Sequence, residues 1–256
     1  MKIARIQTPS GPRWARLDES NATLLSAAPW KGGAQTAEQV PLASAKLLAP
    51  YEGTKIVCIG RNYHEHAAEF GNTAPTEPMF FLKSPSCLVD PEGQIELPSL
   101  TNRIDLETEL VVVIGKSARR VSEADALSYV YGYTIGNDVS HRDQQKGDLP
   151  FGFGRAKNYE TFCPLGPWIV TGLDPLSLKI EARQNGEVRQ SSSTALMVHN
   201  VPKLISFLSH LHTLEPGDLI MTGTPSGVCP LKPGDKLELT VEGIGTLTNY
   251  VIAPTV

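Results

Sequence analysis

The segment Asp105-Leu106-Glu107-Thr108-Glu109-Leu110 carries the densest chemistry in the chain. In a strand, residues two apart project to one face. Glu107 and Glu109 then point one way, and Leu106, Thr108 and Leu110 the other. The strand runs on into Val111-Val112-Val113-Ile114, so the acids stand where a core begins. Carboxylates side by side repel, and each loses water on burial. A hard divalent cation removes both costs. Taken alone, the pattern also fits a strand end with two solvated acids. A third acid, Asp138, follows Gly132-Tyr133-Thr134-Ile135-Gly136-Asn137 at the mouth of a second strand. Three carboxylates without a paired His ligand suit Mg²⁺ or Mn²⁺ better than Zn²⁺. By itself, Asp138 also reads as a turn acid.

Asn62-Tyr63-His64-Glu65-His66-Ala67-Ala68-Glu69 offers a base. On a helix, His66 and Glu69 are three apart and therefore neighbours. A carboxylate beside an imidazole orients it and raises its basicity, as a general base requires. A surface helix with solvated His and Glu is the plain alternative. Arg142 and Gln145 are also three apart, just after Asp138. On a helical turn both could face one ligand, the Arg as a bidentate carboxylate binder and the Gln as an amide donor. Lys83 follows the apolar run Met79–Leu82, and Lys157 stands in Gly154-Arg155-Ala156-Lys157-Asn158. Each Lys alone also fits a solvated surface charge. Thr222-Gly223-Thr224-Pro225-Ser226-Gly227-Val228 is built of small residues that let backbone N–H groups approach a ligand. No phosphate-binding, dinucleotide-binding or nucleophile-elbow pattern is present, which disfavours nucleotide cofactors and serine hydrolase chemistry.

The elements that must position these residues read as an α+β, strand-rich chain. At 256 residues the chain fits one or two domains, at roughly 150 residues each. With 22 Gly and 20 Pro it has many turns. Residues 1–50 read as a small N-terminal domain: two short strands, then an Ala-, Gly-, Ser- and Pro-rich connector with one short helical piece. Residues 51–256 read as a second, larger domain that carries all of the candidate catalytic residues. In it, Lys55–Gly60 reads as a buried strand, and Asn62 as the cap of a helix over Tyr63–Phe70 that Gly71 stops. Ser122-Glu123-Ala124-Asp125 predicts a helix to about Tyr131. Asn200 and Pro202 predict another, with Val201, Leu204, Leu208 and Leu211 on one stripe.

The charge balance excludes several classes. Lys plus Arg number 23 against 27 Asp plus Glu, a net charge of −4, with no basic stripe for nucleic acid. The longest conspicuous apolar run, Leu110–Ile114, is far below a membrane span of about 20 residues. The N-terminus has no secretory signal pattern. The 4 cysteines form no Cys-x-x-Cys pair, so reduced thiols in a cytoplasmic protein are expected.

Taken in order, several segments resemble the fumarylacetoacetate hydrolase family. They are Cys58–Glu69, Phe80–Pro85, Glu107–Gly115, Gly132–Asp138, Thr222–Val228 and Glu242–Asn249. The likeness covers about residues 51–256. It implies a roll of mixed β-sheets with short helices, a homodimer and one divalent cation per subunit. It implies Glu107, Glu109 and Asp138 as metal ligands and His66 with Glu69 as a water-activating dyad. Arg142, Gln145 and Lys157 match residues that hold substrate and stabilise oxyanions, and Lys83 and Thr224 match substrate contacts. Ser193-Thr194-Ala195-Leu196 departs from the family's usual Asn-Thr-Ser/Ala-Asp, and His141 stands where a small residue is common. Lys146–Arg155 falls in the variable lid region.

The reaction expected from this likeness is hydrolysis of a C–C bond in an acylpyruvate or fumarylpyruvate-like 2,4-diketo acid. His66 would take a proton from water, and Lys157 and Gln145 would stabilise the oxyanion. Decarboxylation or keto–enol isomerisation of a 2-oxo dicarboxylate in aromatic-acid catabolism, or oxaloacetate decarboxylation, is the alternative. A non-catalytic ligand-binding protein is a remote one.

Overall fold

The computed structural model describes residues 1–99, 101–148 and 153–255. The strand-rich expectation holds, with mixed sheets and short helices. The central strand is Thr108–Ile114, buried at every residue. Its apolar run is nearly unbroken because both faces are covered. Leu110, Val112 and Ile114 enter the larger core, while Val111 and Val113 enter a second one. On one side it pairs antiparallel with Val130–Asn137, and on the other with Leu219–Met221.

The large sheet continues outward from there. Leu219–Met221 pairs in parallel with Ile56–Gly60, which pairs with the edge strand Met79–Lys83. In the other direction Val130–Asn137 pairs with Cys163–Val170, and that strand with Lys2–Thr8. The N-terminal hairpin Lys2–Thr8 and Gly11–Leu17 therefore extends the same sheet, followed by Asn21–Leu25 and Gln35–Pro41. Ala4, Ile6, Ala15, Leu17, Ala22 and Leu24 form a small cluster of their own. Residues 1–50 and the rest of the chain thus share one sheet through the pairing of Lys2–Thr8 with Cys163–Val170. A five-stranded sheet, with Lys179–Gln184, Lys236–Val241 and Gly245–Ile252 at its centre, covers the larger core.

Four local expectations are corrected. The connector after Pro29 holds a strand, Gln35–Pro41, besides short 3-10 turns. The helix after Ser122 is a single 3-10 turn, Ala126–Tyr129, although Ser122 Oγ accepts the Asp125 N–H and donates to the Asp125 carboxylate. Asn62 does not cap the helix His64–Glu69; its amide is bonded elsewhere. In the helix Val201–Leu211, Val201, Leu204, Ile205 and Leu208 are buried, but Leu211 is exposed. The Asn200 cap and the Gly71 stop, in left-handed backbone, are as expected.

Candidate active site

The acids meet because two strands end together. Thr108 pairs with Asn137 and Glu109 with Gly136, which sets Asp138 opposite Glu107. The crossing is tied by two further bonds. Asp138 N donates to Glu107 O at 2.9 Å, and Glu107 N donates to Asn137 Oδ1 at 2.9 Å. Glu107, Glu109 and Asp138 are all buried, and one oxygen from each lies within 4.8 Å of the others.

Three cations close around two of these acids. Lys157 Nζ lies 2.8 Å from Glu107 Oε2 and 2.6 Å from Asp138 Oδ2. Arg142 Nη2 donates to Glu107 Oε1 at 2.6 Å. Burial would raise the Glu107 pKa, but Lys157 and Arg142 outweigh it and hold the carboxyl well below the usual range. Lys83 Nζ donates to Asp138 Oδ1 at 2.7 Å and to the Lys157 carbonyl at 2.5 Å.

Glu109 has no such partner among the described residues. Among the described residues its carboxylate accepts only the N–H of Gly223, at 2.9 Å. Burial, with Asp138 and Glu107 close by, pushes its pKa well up. A buried, oxygen-only cluster that holds one uncompensated carboxylate fits a hard divalent cation.

The base stands beside this cluster. His66 Nδ1 meets Glu69 Oε2 at 3.0 Å, and His66 Nε2 lies 3.9 Å from Glu107 Oε1. The other Glu69 oxygen accepts Gly227 N–H at 2.7 Å. Burial alone would raise the Glu69 pKa, but the bonds from His66 and Gly227 lower it overall. Gly223 itself turns with φ +93°, and a Cβ there would lie 2.7 Å from that of Asn62. The Thr224 loop is therefore pressed against the segment that carries His66.

One cavity of about 230 Å³ joins these groups. Its wall includes His66, Glu107, Glu109, Asp138, Arg142, Gln145, Lys157 and Thr224. Eight of the ten residues singled out from sequence thus face one space. Glu69 stands behind His66. Lys83, expected to touch substrate, does not line the cavity and is fully buried behind Asp138. The helix Arg142–Asp148 sets Arg142 Nη1 at 2.9 Å from Gln145 Oε1. Of the lid segment Lys146–Arg155, residues 149–152 lie outside the described residues.

Sequence reasoning missed three supporting side chains. Asp105 is fully buried and accepts from Arg142 Nε at 2.8 Å and from Arg103 Nε at 3.0 Å. It sits two before Glu107, so the same alternation could have found it. Gln190 donates to Thr224 Oγ1 at 2.8 Å and accepts from Thr108 N at 3.0 Å. Asn62 donates to the carbonyls of His199 and Thr222 at 2.9 and 2.8 Å. Gln190 and Asn62 act across long stretches of chain, and no local spacing announces that.

Comparison with known proteins follows the same outline. The fumarylacetoacetate hydrolase C-terminal family matches residues 55–252, and the Rv2993c-like N-terminal family matches residues 1–50. Protein Rv2993c of Mycobacterium tuberculosis is 43% identical over 98% of this chain and 98% of its own length. The oxaloacetate tautomerase YisK of Bacillus subtilis is 45% identical, over 82% of this chain and 74% of its own. The crystal structure of 2-hydroxyhepta-2,4-diene-1,7-dioate isomerase from Mycobacterium marinum superposes with a TM-score of 0.91 at 41% identity, covering all of both chains. No described helix is long and apolar enough to cross a membrane.

Proposed function

The chain belongs to the fumarylacetoacetate hydrolase family, and from that premise we propose that it interconverts the keto and enol forms of a 2-oxo dicarboxylate. The observation that carries this reading is the His66 imidazole, backed by Glu69 and turned toward a buried acid cluster. The named activities of similar proteins favour isomerisation over the C–C hydrolysis expected from sequence. Both reactions need the same base. Isomerisation needs no attacking water.

Glu107, Glu109 and Asp138 would hold Mg²⁺ or Mn²⁺, and the bound ion supplies Lewis-acid polarisation of the 2-oxo group. The remaining work falls to side chains. Glu69 at Nδ1 keeps the proton on that nitrogen and leaves Nε2 basic. Nε2 takes a proton from the carbon beside the 2-oxo group and passes it to the enolate oxygen to give the enol, and the reverse transfer from oxygen to carbon restores the keto form. Lys157 stands ready to meet the charge that develops on oxygen. Arg142, held by Asp105 and Gln145, faces the substrate carboxylate. The Thr224 hydroxyl accepts from Gln190, so its own proton is free for the ligand. Lys83 holds Asp138 in place. A homodimer belongs to the same reading.

The test is to add enol-oxaloacetate to Mg²⁺-loaded protein and follow the enol by ultraviolet absorbance and products by NMR. The expected result is metal-dependent ketonisation with no pyruvate. Pyruvate and CO₂ would move the reading to a decarboxylase. Acetate plus pyruvate from acetylpyruvate would restore the hydrolase.

A further inference from the structure

Arg61 occupies left-handed backbone, with φ +56°, at the end of the strand Ile56–Gly60. Such a conformation suits glycine or asparagine and is uncommon for arginine. It is imposed from the next residue. Asn62 is fixed by four bonds: from its side chain to the carbonyls of His199 and Thr222, and from the backbone N–H groups of His199 and Val198. A strained non-glycine residue at a cavity wall points to a use for its side chain. Arg61 lines the same cavity as His66 and Glu109, and Lys146 lines it too.

Arg142, Lys83 and Lys157 are already committed to acids of the site. Among the described residues, Arg61 and Lys146 make no ion pair or side-chain hydrogen bond. The charge count gives them a task. Glu69, Asp105, Glu107, Glu109 and Asp138 against Lys83, Arg103, Arg142 and Lys157 leave one negative charge. A divalent cation turns that into one positive charge, which a single 2-oxo acid carboxylate neutralises. A second carboxylate on the ligand then has no partner in the cluster. It does have one on the wall. The cavity is small, at about 230 Å³, below the ~300–1,000 Å³ typical of drug-sized ligands, so a short diacid spans it.

We propose that Arg61 is the residue that selects dicarboxylic over monocarboxylic 2-oxo acids, by pairing with the distal carboxylate. The proposal rests on the reading of the site as one for 2-oxo acids. It is tested by binding, apart from turnover. Mg²⁺-loaded protein is titrated calorimetrically with 3,3-difluorooxaloacetate, which has no proton to move at the reacting carbon, and with pyruvate. Wild type is expected to bind the diacid at least tenfold more tightly. Arg61→Gly relaxes the backbone and so keeps the fold. It is expected to lose that preference while its affinity for pyruvate is unchanged, and Arg61→Lys to restore part of it. Equal affinities in wild type, or a preference kept in Arg61→Gly, overturn the proposal. Wild type that binds as expected but does not ketonise enol-oxaloacetate overturns the tautomerase reading and leaves the Arg61 assignment standing.

Discussion

Glu69 ties His66 to the loop across the cavity: one carboxylate oxygen meets His66 Nδ1 at 3.0 Å, and the other accepts Gly227 N–H at 2.7 Å. A glutamine in its place has one acceptor and one donor. With its oxygen on Gly227, its NH₂ faces His66 and wants an acceptor there. The imidazole proton then moves to Nε2, and the base is lost. Glu69→Gln is therefore expected to lower kcat by about 10²–10⁴-fold with little change in Tm. Steady-state kinetics beside a melting curve checks this. A kcat within threefold of wild type sinks the dyad.

Asp105 carries a different load. It is fully buried and holds both Arg142 and Arg103. Removing it leaves Arg142 buried with one acid fewer. Breaking such a pair costs about 3–5 kcal/mol. Asp105→Ala is expected to show that loss in urea unfolding and to raise KM as Arg142 loses its aim. Unchanged stability would place the Arg142 charge elsewhere.

Much of this was legible in the sequence, for a physical reason. Strand alternation and helical spacing are local, so Glu107 with Glu109, His66 with Glu69, and Arg142 with Gln145 could be paired by counting. What could not be counted was long-range. Asn62 reads locally as a helix cap, but its amide reaches His199 and Thr222 instead. Lys83 reads as a substrate contact, but burial places it behind Asp138. The Ser122 motif forms its local bonds, yet the chain enters the strand Val130–Asn137 after one turn, because sheet pairing wins over helix propensity.

The edge strand Met79–Lys83 exposes Phe80 at 41% and Leu82 at 51%. An open, apolar strand edge is a ready surface for another chain. The proposed homodimer would cover it with a second copy. Sedimentation at micromolar concentration is expected to give twice 27.7 kDa. Phe80→Lys with Leu82→Lys should shift the mass toward one copy, and a wild-type monomer would end the idea.

The cysteines set a pH-dependent outcome. Burial pushes the Cys163 thiol up to about 12 and Cys229 up to about 11. It also raises Cys58 and Cys87. The thiolate is the reactive form, so raised values leave these thiols protonated at neutral pH. Iodoacetamide at pH 8 is expected to label less than one thiol per native chain, and all 4 after denaturation. Rapid native labelling of more than one would contradict the buried arrangement.

The metal assignment is most exposed to test at Glu109. Among the described residues its buried carboxylate accepts one N–H, from Gly223, and makes no ion pair. An unpaired buried charge is costly until a cation arrives. Chelated protein is therefore expected to melt lower than Mg²⁺-loaded protein. At 100 times Kd the gain is about 2.7 kcal/mol, or roughly 5–10 °C at ~2–4 °C per kcal/mol. Glu109→Gln keeps the shape and an oxygen for Gly223 but removes the charge. Without metal it is expected to melt above chelated wild type, and with Mg²⁺ it should gain little more. Calorimetric melts of both proteins, with chelator and with Mg²⁺, separate the outcomes. A variant that melts lower without metal, and still gains the full Mg²⁺ shift, would remove Glu109 from the ligand set.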